Sequence, residues 1–294
     1  MVKLLANVVK FSKFLLNLAC DFIAPNTCLS CGEMMKDNVN WSSKERENES
    51  KFDINNFICQ KCITKFNTCC KIDQNFCCKK CGYPLLIDDE ENENKNFLDK
   101  QKDENYCPSC QDKKLYFDVA RSCFKYHYIV RRLLLNMKFY FQSDGLGLMG
   151  KSIFDVYKNH LKKADIVCFI PITKMKLFCK GYNHAGLIAG ELYKQMRGQN
   201  GKELLLHDLL VKTKQTIGSK QLTQTERWQK QQRFSINTKY LSEEWKSKID
   251  GKTILLIDDI MTTGATLNVA SMVLKKDFPH SKIECLTFAR TMLY

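Results

Sequence analysis

Ile254-Leu255-Leu256-Ile257-Asp258-Asp259-Ile260-Met261-Thr262-Thr263-Gly264-Ala265-Thr266 is the stretch that decides the reading of this 294-residue chain. Its four leading aliphatics are too few for a typical helix and rich enough in Ile to form a buried strand of a parallel sheet. Two carboxylates follow at the strand's carboxyl end, where open α/β sheets place their ligands. Thr262 to Thr266 then make a hydroxyl-rich turn around one glycine, and Leu267 to Lys276 carry helical apolar spacing. Such a turn aims backbone N–H groups and a helix N-terminus at a phosphate, and the Thr hydroxyls add hydrogen bonds. The carboxylates would repel that phosphate, so they suit neighbouring sugar hydroxyls or a magnesium shell. A ribose 5-phosphate satisfies both halves.

The surrounding chain repeats the strand–helix alternation from Asp118 onward. Val119 to Phe124 reads as a strand and Ile129 to Lys138 as a helix. Residues 165–172 form a second buried strand that breaks at Pro171, and a helix is expected over 184–197, with His184 at its start. Leu209 to Arg233 is polar and Gly-interrupted, the composition of a mobile loop, and Ile283 to Ala289 supplies a last strand. Strands alternating with helices predict a doubly wound parallel α/β sheet.

The first part of the chain has different chemistry. Of 16 cysteines, eight form the CxxC pairs Cys28/Cys31, Cys59/Cys62, Cys78/Cys81 and Cys107/Cys110. Two such turns close one tetrahedral four-thiolate site, so four turns predict two structural zinc ions, paired most simply as the first two and the last two. Gly32 and Gly82 follow the second Cys of their pairs, where a permissive residue lets the chain turn tightly. Cys69, Cys70 and Cys77 lie close by, while Cys20, Cys123, Cys168, Cys179 and Cys285 are scattered and are expected to be small core residues. Residues 36–56 and 88–105 are polar inserts that read as loops. The organisation expected is an amphipathic helix within residues 1–27, on Leu4, Leu5, Val8, Phe11, Leu15 and Leu18, then a double zinc ribbon over 28–117 and the α/β domain over 118–294.

Charge separates the same two parts. Residues 1–118 hold 17 Lys/Arg against 18 Asp/Glu, whereas residues 119–294 hold 29 against 14. The basic excess therefore belongs to the half with the phosphate-type turn, which suits a polyanionic ligand. Lysines 3, 10 and 13 interrupt the opening apolar stretch, which reads neither as a secretory signal nor as a transmembrane segment. With cysteines in metal-type pairs, a reducing cytoplasm is the expected setting.

All thirteen positions of the opening stretch match the phosphoribosyl-pyrophosphate (PRPP) motif of the type I phosphoribosyltransferases. The chain as a whole resembles the ComF family (ComF/GntX), a double zinc ribbon followed by a phosphoribosyltransferase-like domain. The resemblance is carried by Leu16-Asn17-Leu18 through Pro25 and Cys28, Cys78 to Leu85, Leu135 to Phe139, Pro171-Ile172 with Lys180-Gly181-Tyr182-Asn183, Thr225-Glu226-Arg227, and the thirteen-residue motif. It implies that Asp258 and Asp259 hold ribose hydroxyls and that Thr262, Thr263, Gly264, Ala265 and Thr266 wrap the 5-phosphate. It implies a pyrophosphate loop of Ile172, Thr173 and Lys174, with Lys180, Lys214 and Arg227 as further cations, and magnesium bound with PRPP. Where the family has Arg-Gly-Phe-Asn-Gln, this chain has Lys180 to His184, which keeps a point charge and loses the bidentate fork. The resemblance further implies a role in natural competence, the handling of incoming single-stranded DNA with the import machinery at the inner face of the membrane. Two functions fit: a phosphoribosyltransferase-type PRPP-binding protein, and a non-catalytic nucleic-acid adaptor that uses zinc ribbons and a basic surface with PRPP only as regulator. Turnover of PRPP separates them.

Overall fold

The computed structural model describes residues 27–35, 58–85, 105–139, 142–198, 203–213 and 234–292. The expected helix within residues 1–27, the inserts, Lys214 and Arg227 lie outside these.

Five parallel strands form the central sheet: β1 (Val119–Lys125), β2 (Ile166–Phe169), β3 (Leu205–Leu206), and two long strands, β6 (Thr253–Met261) and β7 (Lys282–Arg290). Their order is β1-β7-β6-β2-β3. A short antiparallel pair, β4 (Leu210–Lys212) with β5 (Phe234–Ile236), stands apart from it. Part of the expected loop from Leu209 to Arg233 is thus a strand, because Leu209 and Leu210 are buried apolar anchors.

Alternation across the sheet explains why the Ile254–Ile257 run is continuous. Leu255 and Ile257 enter one core with Val130, Leu133, Ile153, Ile188 and Leu192. Ile254 and Leu256 enter the opposite core with Leu267, Ala270 and Leu274. A strand covered on both faces needs apolar residues at every position. The first core is built by α3 (Tyr128–Phe139), α4 (Gln142–Leu161) and α6 (His184–Met196); the second by α7 (Glu243–Ile249) and α8 (Ala265–Asp277). Helix α4 was not expected from sequence. Gly147 and Gly150 interrupt its pattern, and Gly150 is there because a Cβ would come within 2.7 Å of the Ile188 carbonyl oxygen on α6.

The cysteine-rich segments join these same cores. Cys28, Cys62 and Phe66 belong to the first, and Cys78, Cys81 and Cys107 to the second. Phe66 stacks on Phe124 of β1 (ring centroids 4.6 Å apart), which stacks on Phe288 of β7 at 4.9 Å. This aromatic ladder carries the first cysteine segment onto the sheet. Phe124→Ala should lower unfolding stability by about 3–5 kcal/mol, since it opens a cavity at the centre of the ladder. A denaturant titration in the presence of zinc checks this; a loss under about 1 kcal/mol would show that the ladder does not join the two parts.

Candidate functional site

The site grows from an unequal ending of two neighbouring strands. Strand β2 stays in register with β6 only from Ile166↔Ile254 to Phe169↔Ile257, and the last rung is the Ile170 N–H donated to the Ile257 carbonyl (3.0 Å). Pro171 then turns the chain away, because it has no N–H to offer a ladder. Strand β6 continues to Met261 against β7, so the two acids lie within the strand rather than after it. From β2 the chain winds outward to β3 and then returns to β6 on the other side. Strand order therefore reverses between β2 and β6, the place where doubly wound sheets form a ligand crevice.

Asp258 and Asp259 stand half-buried at this crevice, and the Asp259 N–H donates to Asp258 Oδ1 at 2.9 Å. Thr262 and Thr263 are exposed. Gly264 caps α8 with φ 77°, the left-handed region open to glycine, and no side chain occupies that cap. Ala265 and Thr266 already belong to the first turn of α8 and are exposed, so the expected turn is split between a loop of three residues and a helix start. The Thr263 hydroxyl accepts from the Ala265 N–H (3.4 Å).

On the β2 side, Ile172 and Thr173 are half-buried, and Thr173 caps α5 (Lys174–Lys180) by accepting from the Lys176 N–H at 3.3 Å. Lys174 and Lys180 are exposed, as is the rest of α5, including Met175, Leu177 and Phe178. Cys179 is exposed too, which corrects its expected place in the core; Cys123, Cys168 and Cys285 are buried as expected. Asn183 caps α6, accepting from the Ala185 N–H (3.1 Å) and donating to the Ile170 carbonyl (2.9 Å), so α6 starts at the same edge. His184 is its first residue. Next to β2, His207 and Asp208 follow β3 and share the Tyr240 hydroxyl at 3.2 and 3.0 Å. Burial, reinforced by Lys239, holds the His207 pKa below its ordinary value, so the imidazole is neutral at pH 7.

The cysteines form the two groups expected: Cys28, Cys31, Cys59 and Cys62; and Cys78, Cys81, Cys107 and Cys110, with the sulfurs of each group within 4.8 Å of one another. Cys31 and Cys59 Sγ are 3.7 Å apart, and Cys81 and Cys107 Sγ 3.6 Å. A tetrahedral zinc with bonds of about 2.3 Å has sulfur–sulfur edges of about 3.8 Å, so both groups fit the ion. The two halves of each group differ in construction. Cys28–Cys31 and Cys78–Cys81 are knuckles closed by Gly32 (φ 80°) and Gly82 (φ 68°). Cys59 and Cys107 instead begin helices, α1 (Gln60–Lys65) and α2 (Pro108–Asp112). Burial pushes the Cys28 thiol up, but N–H groups of Cys31 and Cys59 outweigh it and bring it down to about 7. Burial drives Cys62 up to about 12. Sulfurs this close cannot all be thiolates without a cation among them. Cys69, Cys70 and Cys77 are not in either group.

Three neighbours of the second group were not singled out from sequence. Arg121 donates to the carbonyls of Cys78 (3.3 Å) and Lys79 (3.0 Å), Arg290 donates to that of Cys81 (2.6 Å), and Asn268 binds residues 114–116. An arginine closing an apolar strand run, as Arg290 does in Phe288-Ala289-Arg290, is the available signal.

Comparison with known proteins agrees with the geometry. The phosphoribosyl transferase domain model matches residues 162–292, from the approach to β2 through the end of β7. The chain is also 26% identical over 190 residues to Competence protein F of Haemophilus influenzae, covering 58% of this chain and 79% of that protein. This likeness accords with the ComF resemblance carried by the sequence motifs. Among solved structures it is similar to a hypoxanthine phosphoribosyltransferase from Staphylococcus aureus (14% identity, 51% of this chain and 74% of that one, TM-score 0.31). A second is a hypoxanthine-guanine phosphoribosyltransferase from Schistosoma mansoni in complex with IMP (12% identity, 52% and 66%, TM-score 0.25).

Elemental analysis of the purified chain should find two zinc ions, and Cys31→Ser or Cys81→Ser should each lower the content to about one. Less than about one zinc in the parent would remove the metal reading of both groups.

Proposed function

We propose that this chain binds PRPP with magnesium at the β2–β6 crevice and acts as a cytoplasmic, phosphoribosyltransferase-type protein in the handling of incoming DNA. The observation that carries the reading is the parting of β2 from β6 after Ile257, which leaves two carboxylates beside a hydroxyl-rich turn and a helix N-terminus. In this reading Asp258 and Asp259 accept from the ribose hydroxyls. Thr262 to Thr266 hold the 5-phosphate through backbone N–H and hydroxyl groups. Ile172, Thr173 and Lys174, with Lys180 and Arg227, face the pyrophosphate, whose departure needs cations. Magnesium supplies the remaining charge compensation when bound.

The test is the double variant Asp258→Ala/Asp259→Ala. Each ribose hydrogen bond to a charged acceptor contributes roughly 1.5–3 kcal/mol, so PRPP affinity should fall about a hundredfold or more. Inorganic phosphate should still bind, because the turn is untouched. Calorimetry showing unchanged PRPP binding would make the carboxylates structural.

The role with DNA is supported by the name of the Haemophilus influenzae relative, by the basic excess of residues 119–294, and by α5, where three lysines alternate with the exposed Met175, Leu177 and Phe178. Lysines pair with backbone phosphates and an exposed Phe gives bases a stacking surface. Single-stranded DNA binding should weaken steeply with salt, and replacing Lys174, Lys176 and Lys180 by Ala should flatten that slope by about 0.7 per lost phosphate contact. An unchanged slope would place the DNA surface elsewhere and favour the adaptor reading through the cysteine segments.

A further inference from the structure

Among the described residues, Arg290 is the one charged side chain in the fully buried set, 2% exposed. Its Nη1 donates to the Cys81 carbonyl at 2.6 Å and stands 3.8 Å from Cys81 Sγ, and the guanidinium lies over the Tyr83 ring, 4.9 Å from its centroid. Its Nε is buried without a hydrogen-bond partner, and among the described residues no carboxylate pairs with it. Arginine does not lose its proton in a protein, so this is a permanent buried charge that needs an anion close by. The adjacent candidate is the Cys78/Cys81/Cys107/Cys110 group. Four thiolates around a divalent ion carry a net charge of about −2, whereas four thiols carry none. The loaded group supplies the counter-charge; the empty one does not.

Arg290 is also placed to transmit the state of that group. It ends β7 opposite Met261, the last residue of β6, and the Thr291 N–H closes the pair on the Met261 carbonyl at 2.9 Å. Met261 lies directly against the turn: a Cβ on Gly264 would come 2.7 Å from its Cε. A second tether reaches the other flank. Asn268, in α8, accepts from the Tyr116 N–H (2.7 Å) and donates to the Lys114 carbonyl (3.3 Å), and residues 114–116 directly follow the helix that carries Cys110. Both flanks of Thr262–Gly264 are therefore tied to one cysteine group.

We propose that the second cysteine group, when it holds a divalent metal, braces the turn Thr262–Thr266 through Arg290 and Asn268, so that its metal occupancy governs anion binding at the turn. Arg290 is the counter-cation of the loaded group and both are positioning residues. The inference rests on the phosphate reading of the turn given above, and its metal readout is independent of that reading.

The experiment uses the full chain loaded with zinc. Metal release to a colorimetric chelator is followed for the parent, Arg290→Lys, Arg290→Met and Arg290→Gln, and binding of inorganic phosphate and PRPP is measured on the same samples. Outer-shell partners are worth about 10–100-fold in metal affinity, so Met and Gln should release one of the two ions at least about tenfold more readily. Lys, which keeps the charge, should hold it; Gln keeps a donor without charge and separates charge from a simple cap on the Cys81 carbonyl. Anion binding should fall in step with the lost ion and return when zinc is restored. Parental metal retention in Arg290→Met, or a lost ion with undiminished phosphate binding, overturns the proposal. Should Arg290→Met fail to fold, Asn268→Ala cuts the second tether without a charge change: it should keep both ions and bind phosphate more weakly, and undiminished binding overturns the brace. A parent that binds neither anion would remove the phosphoribosyl reading and the brace together, while the release series would still judge Arg290 as counter-cation.

Discussion

The parallel ladder that holds β6 ends at Ile257 on the β2 side and at Met261 on the β7 side. That four-residue difference is the constraint on which the site depends. On the β7 side the backbone of the acid pair is still tied into the sheet, so the carboxylates are held on a rigid element. On the β2 side the same backbone faces an opening. Pro171 enforces the departure of β2, and Asn183 fixes where the departing chain returns by holding the Ile170 carbonyl from the start of α6. A site of this kind is built by ending one strand early, and the binding groups are then presented by strand and helix ends rather than by a long loop.

The far side of the sheet meets the opposite problem, an edge that must be closed. β1 is an edge strand, and an edge leaves backbone groups unpaired. Here the second knuckle covers it: the Ala120 N–H donates to the Lys80 carbonyl at 2.8 Å, and Arg121 binds the carbonyls of Cys78 and Lys79. The approach is close enough that a Cβ on Gly82 would come 2.8 Å from the Ala120 carbonyl oxygen. Gly82 thus serves twice, for its positive φ and for the contact with the strand. The cysteine segments are edge caps and core material for the sheet, and the metal reading of the sulfurs bears on the stability of the whole.

Much of this was legible because the physics is local. Aliphatic runs bounded by a proline or an acid pair gave β2 and β6 to within a few residues, Ile283 to Ala289 gave most of β7, and CxxC spacing gave both four-sulfur groups. What was not legible depends on partners far away in sequence. Helix α4 hides behind glycines whose reason is the Ile188 carbonyl on α6. Cys179 could not be told from Cys168, since exposure is set by whether α5 has anything to pack against. Arg290 is hidden by period-two alternation, which puts it on the face of Phe288. Yet Phe288 enters the first core while Arg290 reaches Cys81, a member of the second. Consecutive Cys123 and Phe124 on β1 both enter the first core, so the alternation slips on this neighbouring strand as well.

The two kinds of metal-binding donor stand in separate places. Thiolates are soft and select zinc, whereas carboxylates are hard and suit magnesium, which keeps several waters. The sulfur groups lie against the cores, where four protein ligands would close a zinc shell and exclude water. The acid pair is left half-exposed at the opening, where a hydrated cation can be shared with a polyanionic ligand. In the proposed reading, two carboxylates are too few to retain magnesium against water, so the ion would come and go with its ligand. Zinc held by four thiolates would stay. In the same reading, the basic half 119–294 would meet a polyanion through lysines and a transient cation, while the buried Arg290 guanidinium would serve the metal of the second cysteine group and take no part in the exchange.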